Sequence, residues 1–464
     1  MLRIQPFSIV GTKRPAIFEV LSLRGQVGQN EIDLALAHKT SATSFHPERA
    51  GPGGDWLTRG SRLRLGYLVP EFPGQTHVFF WREICALREM GEELLLISTR
   101  KPSAGACRHD FAPRAMADTH YLFPPAVQNM AAWTVIGCPG LKQASAYLNG
   151  LVSSGFRSRV RQYGLLASAV ELIRWARLQR VDHIHGHSCA DSAHVLALAR
   201  WMGGPSYSLT LHGDLAVYGM DHRLKMEKAA FVSVVGKHLR RQVQEQTCMP
   251  YERIFETCMG VDTSVLKGLG EDRSYAPGSL HLVTVARLNP AKGHVHALNA
   301  IHRGLQIGLD LRYTIAGEGP NREELRSVIK QLGLESRVTL TGTLGEAEVF
   351  QLLSRADALI LPSVGFGEAW PVSVMEAMGA GLPVIASVIG ATPEMITSGE
   401  DGFLVPQRDE QILLEYIAVL ARDPERRKRI GEAARRTAIQ RFDVKTTAEV
   451  LRKAIRESLD AQAA

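Results

Sequence analysis

Glu368 and Glu376 stand in the stretch GEAWPVSVMEAMGAGLP (residues 367–383), separated by seven residues of which all but Ser373 are apolar. A carboxylate in such company needs a polar partner, because burying it unpaired removes its hydration with nothing in return. Pro371 suits a first helical turn, and Gly381 followed by Pro383 marks a stop, so the spacing predicts a helix over 371–380. Glu368 then lies in the loop before that helix and Glu376 on it. The helical neighbours of Glu376 are Val372, Ser373, Gly379 and Ala380, small enough to let a ligand approach. Free N–H groups at the helix start suit a phosphate. Taken alone, the two acids would serve equally as a helix cap and a salt-bridged core acid.

Other residues point toward a phosphate-bearing ligand. The apolar run HLVTVA leads into ARLNPAKGH, which puts Arg287 and Lys292 in a strand-to-helix turn, at the strand end where open α/β sheets bind ligands. A guanidinium can grip two phosphate oxygens and an ammonium adds a point charge, although both residue types are commonly just solvated. AGEGPNREEL places Gly317, Glu318 and Gly319 at another strand end; it resembles half of a dinucleotide fingerprint and lacks the third glycine. In the first half, DHIHGHS sets His183, His185 and His187 on one strand face, which admits a metal reading, but no Asp or Glu completes a ligand set. His212 ends the run YSLTLH just before Gly213. It should project where the strands end, either to meet a substrate hydroxyl or phosphate or as a hydrogen-bonded structural histidine.

Short β-rich runs alternating with helical patterns must position these residues, and that rhythm argues for βαβ units and parallel sheets. It starts at LRLGYLV (63–69), breaks in the Gly- and charge-rich VLKGLGEDRSYAPGSL (265–280), and restarts at HLVTVA. The expected organisation is an N-terminal extension over 1–60, loosely docked or poorly ordered, a Rossmann-like domain over 61–265 and a linker over 266–280. A second Rossmann-like domain follows over 281–440, with a C-terminal helix over 441–464. The fold class is α/β, two such domains facing a cleft, with the C-terminal helices crossing back to the first domain.

The chain has 464 residues, 45% of them hydrophobic, enough for more than one core. Six scattered cysteines form no CxxC pair, which argues against a disulfide framework or zinc site and fits a reducing, cytoplasmic setting. No run of eighteen apolar residues and no leader pattern occurs, so neither secretion by that route nor membrane spanning is expected. The net charge of +7 allows contact with anionic surfaces, or only a solvated basic surface, and no nucleic-acid module accompanies it.

Taken together, ARLNPAKG, AGEGP and GFGEAWPVSVMEAMGAGLPVIASVIGATPEMI resemble the family 4 retaining glycosyltransferases, enzymes of the GT-B fold, over most of residues 63–460 and most closely over 283–405. YLVPEFPGQTHVFFWREICALREMG and CMGVDTSVL are similar to members acting in polysaccharide or exopolysaccharide assembly. The resemblance implies a nucleotide-diphosphate sugar as donor, no cofactor, and a glycan or lipid-linked acceptor. It implies that Glu376 hydrogen-bonds the nucleotide ribose, that Glu368 lies by the donor sugar, and that Arg287 and Lys292 hold the diphosphate. His212 matches a first-domain histidine near the transferred sugar, and the turn containing Gly74 would close over the phosphates. Glu318, Trp370 and Pro371 join the donor-binding set. Two departures stand out: Ala369 and Trp370 replace the usual Gly and Phe, which bears on sugar choice, and PGQT replaces a glycine-rich turn. The chain contains no D-x-D, so transfer without a metal is expected. A GT-B sugar-nucleotide epimerase and a non-catalytic partner of the same fold are the alternatives. Arg157, Arg159, Arg161, Arg174, Arg177 and Arg180, at near-helical spacing, suggest peripheral contact with an anionic membrane or a solvated helix face.

Overall fold

The computed structural model describes residues 63–103, 105–124, 137–152, 156–270, 273, 276–365 and 368–463; the extension expected over 1–60 lies outside them. The first series of strands is β1 (Arg64–Leu68), β2 (Glu93–Arg100), β3 (Thr119–Phe123), β4 (His183–His187), β5 (Ser206–Leu211), β6 (Val232–Val234) and β7 (Ile254–Glu256). The second is β8 (Ser279–Val285), β9 (Asp310–Ala316), β10 (Val338–Gly342), β11 (Ala358–Leu361), β12 (Val384–Ser387) and β13 (Phe403–Val405). They form a seven-stranded sheet in the order β3-β2-β1-β4-β5-β6-β7 and a six-stranded sheet in the order β10-β9-β8-β11-β12-β13. Every pairing is parallel. Helices cover both faces of such sheets, which is why β5, β11 and β12 are buried along their whole length.

The strand order reverses between β1 and β4 in one sheet and between β8 and β11 in the other. At such a switch point adjacent loops leave in opposite directions and open a crevice at the strand carboxyl ends. The four chain segments that leave there are Pro70–His77, Ser188 onward, Ala286–Lys292 and Pro362–Glu368, and they carry Gly74, Arg287, Lys292 and Glu368.

The last helix, Val444–Ala463, returns to the first sheet. Val444, Ala448, Leu451 and Ile455 recur at helical spacing and pack with Leu65, Phe80, Ile84 and Leu87. Arg456 Nη2 donates to Glu92 Oε1 at 2.6 Å and fastens its outer edge.

Three expectations shift. The strand-to-helix turn that carries Arg287 and Lys292 holds a short 3-10 segment, Pro290–Lys292, before the helix proper runs from His294 to Gln306. The helix after Glu368 spans Val372–Gly379 with Pro371 as its N-cap, so it starts one residue later and ends one residue earlier than expected. β3 was not expected at all.

Candidate functional site

A cleft of about 700 Å3 opens between the carboxyl ends of the two sheets. On the second sheet's side, Lys292 reaches Glu368 because two glycines permit close backbone approach. Gly293 has φ 66°, and a Cβ there would lie 1.8 Å from the Pro362 carbonyl; Gly390 has φ 54°, and a Cβ there would lie 1.6 Å from the Glu368 carbonyl. These packings bring the turn after β8, the end of β11 and the turn after β12 together around one carboxylate. Lys292 Nζ pairs with Glu368 Oε2, and Ser363 Oγ donates to the same oxygen at 2.8 Å. Arg287 is exposed, lines the cleft, and has no side-chain partner among the described residues.

Glu376 is buried, and its partner comes from the opposite sheet. Arg82, on the helix Val78–Glu89, donates from Nη2 to Glu376 Oε1 at 2.7 Å. The same guanidinium reaches Glu346 Oε1 from Nε at 2.9 Å and from Nη2 at 2.7 Å. Burial opposes the charge on Arg82, but Glu376 and Glu346 outweigh it and raise its pKa. Arg82 Nη1 stays buried and without a partner among the described residues. The demand of Glu376 for a polar group was legible in the sequence; the identity of that group was not. The available signal was an arginine four residues after Val78, on a helix whose other fully buried positions are apolar.

On the first sheet's side, His212 follows β5 and lines the cleft beside His77, Phe79 and Phe80. Its Nε2 lies 3.0 Å from His187 Nδ1, and its backbone N–H donates to Tyr218 Oη at 3.2 Å. Burial, with His77 nearby, lowers its pKa to about 3, so the ring is neutral at ordinary pH. His183 and His185 are not arranged as ligands: their ring nitrogens meet Ser206, Ser208 and Thr210 hydroxyls, each at 2.8 Å. No group of three potential metal ligands occurs among the described residues.

Gly74 is not part of the cleft wall. Its carbonyl accepts the His77 N–H at 3.0 Å, and the wall is built by Gln75, Thr76 and His77. Glu318 lines the cleft but is half exposed and paired with Arg322, one helical turn on. Pro371, Val372 and Ser373 present the helix start to the cleft. Trp370 also borders it, yet its Nε1–H faces Met375 Sδ at 3.1 Å and its ring meets Phe442 edge-on at 5.9 Å, so most of the indole serves the core. In the arginine series, Arg161 pairs with Asp191 and Arg174 with Glu171, while the side chains of Arg157 and Arg159 lie outside the described residues. No helix among the described residues is long and apolar enough to cross a membrane.

The family model described as "Glycosyl transferases group 1" matches residues 275–437, the second sheet with its helices. A protein of Salmonella typhimurium named as the colanic acid biosynthesis glycosyltransferase WcaL is 27% identical over 78% of this chain and 91% of its own length. The glycogen synthase of Mycobacterium tuberculosis is 32% identical over 59% of this chain and 68% of its own. Among solved structures, Anabaena Alr3699/HepE in complex with UDP superposes with a TM-score of 0.65 over 85% of this chain and 100% of that one, at 18% identity. That likeness is one of fold, and the fold is GT-B. With a relative above 30% identity matched over two thirds of its length, the chain belongs to the group 1 glycosyl transferases.

Proposed function

We propose that this protein is a retaining glycosyltransferase that moves a sugar from a nucleotide-diphosphate sugar to a glycan or lipid-linked acceptor in exopolysaccharide assembly, with no metal in the transfer step. The observation that carries this reading is the convergence of Arg287, the Lys292–Glu368 pair, the Val372–Gly379 helix start and Glu376 on one cleft wall, opposite His212. The colanic acid relative supports the exopolysaccharide setting, and the UDP complex supports a uridine nucleotide as the first donor to try.

Breaking a sugar–phosphate bond develops positive charge on the ring and negative charge on the departing diphosphate. Arg287, the remaining donors of Lys292 and the free N–H groups of Val372 and Ser373 are fixed dipoles and charges for that phosphate. Glu376 has one oxygen held by Arg82 and the other available to ribose hydroxyls. Glu368, tied by Lys292 and Ser363, positions the sugar. The acceptor attacks the face the phosphate leaves, and a phosphate oxygen takes its proton, which retains configuration. Excluding water from the cleft protects the donor from hydrolysis.

The test is a panel of nucleotide sugars, scored first by protection against thermal unfolding and then by transfer to glycan and lipid-linked acceptors, with and without chelator. Transfer with retained anomeric configuration, unaffected by chelator, is expected. Lys292→Ala should lower turnover by about 100- to 1,000-fold, the scale for losing one preorganised group that stabilises developing charge. Formation of an epimer from donor alone would replace this reading with the epimerase. For the membrane contact, co-sedimentation with anionic vesicles at low salt is the check, and its absence there would remove that element.

A further inference from the structure

Behind His212 lies a buried acid that none of these steps uses. Glu83, on the helix Val78–Glu89, accepts from Tyr67 Oη at 2.7 Å and sits 3.5 Å from His187 Nε2, a buried nitrogen that makes no hydrogen bond among the described residues and has this carboxylate as its facing acid. His187 Nδ1 in turn lies 3.0 Å from His212 Nε2. His212 Nδ1 has no hydrogen-bond partner among the described residues. The two imidazoles are packed by Tyr67, Phe79 and Phe80.

A single hydrogen fits between each neighbouring pair of atoms, which leaves two arrangements. With Glu83 ionised, His187 carries its proton on Nε2, facing the carboxylate. Its Nδ1 accepts the His212 Nε2–H, and His212 presents a bare Nδ1. With Glu83 protonated, the carboxyl O–H faces His187 Nε2, the His187 Nδ1–H donates to His212 Nε2, and His212 presents an N–H at Nδ1. The two states differ by one proton, which Glu83 holds in the second and lacks in the first.

We propose that Glu83, acting through His187, is a positioning residue that sets whether His212 accepts from or donates to a sugar hydroxyl in the cleft. This rests on His212 facing the transferred sugar in the function proposed above. The groups around the chain are Tyr67 on β1, His185 on β4, His77 and Glu71 ahead of the helix, and Arg82 and Glu89 on it. From the C-terminal helix, Lys445 pairs with Glu89, and Arg452 and Arg456 pair with Glu92. Burial pushes the Glu83 carboxyl up to about 7, with the Tyr67 hydrogen bond pulling the other way. Burial holds His185 and His187 far below the usual imidazole range and Tyr67 well above the usual phenol range. The exchange of states therefore falls near neutrality.

The full chain, labelled with 15N at histidine, tests this through two-bond 15N–1H correlations, with His212→Gln used to assign the His212 signals. The expected result is a change of the His212 tautomer with a midpoint near pH 7, absent in Glu83→Gln. Tyr67→Phe, which leaves the carboxylate without its donor, should move the midpoint up by about one unit. A His212 tautomer that is constant from pH 5.5 to 8.5, or a midpoint unmoved by both substitutions, overturns the proposal. In a transfer assay, the pH profile of kcat/KM should lose an inflection near neutrality in Glu83→Gln. If no nucleotide sugar supports transfer by the unmodified protein, the proposed function fails, and the tautomer titration still decides the role of Glu83.

Discussion

Arg82 shows how one side chain can belong to two halves of a protein. Its guanidinium is buried between Glu376 and Glu346, both more than 260 positions away in sequence. Replacing it with leucine leaves Glu376 buried beside an apolar group, a change that typically costs about 3–5 kcal/mol. Denaturant unfolding of Arg82→Leu should show that loss at pH 8 and a smaller one at pH 5, where a buried acid can escape its desolvation by taking up a proton. An equal loss at both values would mean that lost packing, not the stranded carboxylate, sets the cost. The same separation explains what could be read at this scale. The placing of Glu368, Arg287 and Lys292 at the cleft was legible because each sits in a short motif after a strand, and that of Glu376 because it lies on the helix that follows Glu368. Arg82, Glu346, Glu83 and His187 acquire their roles only from partners that folding brings in from elsewhere, and no local spacing records that.

Most elements were readable from periodicity, because buried parallel strands are short apolar runs and the helices between them are amphipathic. The histidine strand His183–His187 falls where the pattern put it. β3 did not, since it is an edge strand with only two of its five residues buried, and THYLF carries no apolar run to announce it. The connecting turns were legible as breaks but not as geometry. Gly390→Ala tests that geometry: its Cβ would collide with the Glu368 carbonyl, and a displacement of about 1 Å at a reacting centre can cost on the order of a hundredfold in rate. Turnover at saturating donor should fall by that order, while a variant with wild-type turnover would show that Glu368 tolerates movement. At the far end of the molecule, Leu451→Ala should cost about 2–5 kcal/mol in a urea melt, because Leu451 is fully enclosed between the returning helix and the first sheet.

Across the whole molecule, polar bonds tie the two sheets' loops over the cleft. Gln75 donates to the Leu344 carbonyl at 3.0 Å, Arg108 to the Thr343 carbonyl at 3.0 Å, and the Lys237 N–H to Glu394 at 3.0 Å. The apolar layers beneath the first sheet's side of this closure hold several histidines neutral, and that fixes how stability depends on pH. Burial lowers His183, His194 and His212 to about 3 and His77 and His294 to about 4. Below the ordinary imidazole value of about 6.5 the unfolded chain binds protons that the folded one refuses, so stability falls as pH falls through that window. Each such histidine contributes up to about 1.4 kcal/mol per pH unit. Glu83 works in the opposite direction: raised to about 7, it favours the folded state at low pH and loses that contribution as pH rises from about 4.5 through 7. One acid against these five histidines, with His185 and His187 lowered as well, leaves the acid side steeper, so the melting temperature should peak near neutrality, drop sharply below pH 6 and change little up to pH 8. Calorimetry across that range checks the shape. His183→Gln, which can still hydrogen-bond the strand hydroxyls but does not titrate, should flatten the acid limb; an acid limb of unchanged slope would place the sensitivity in the carboxylates instead.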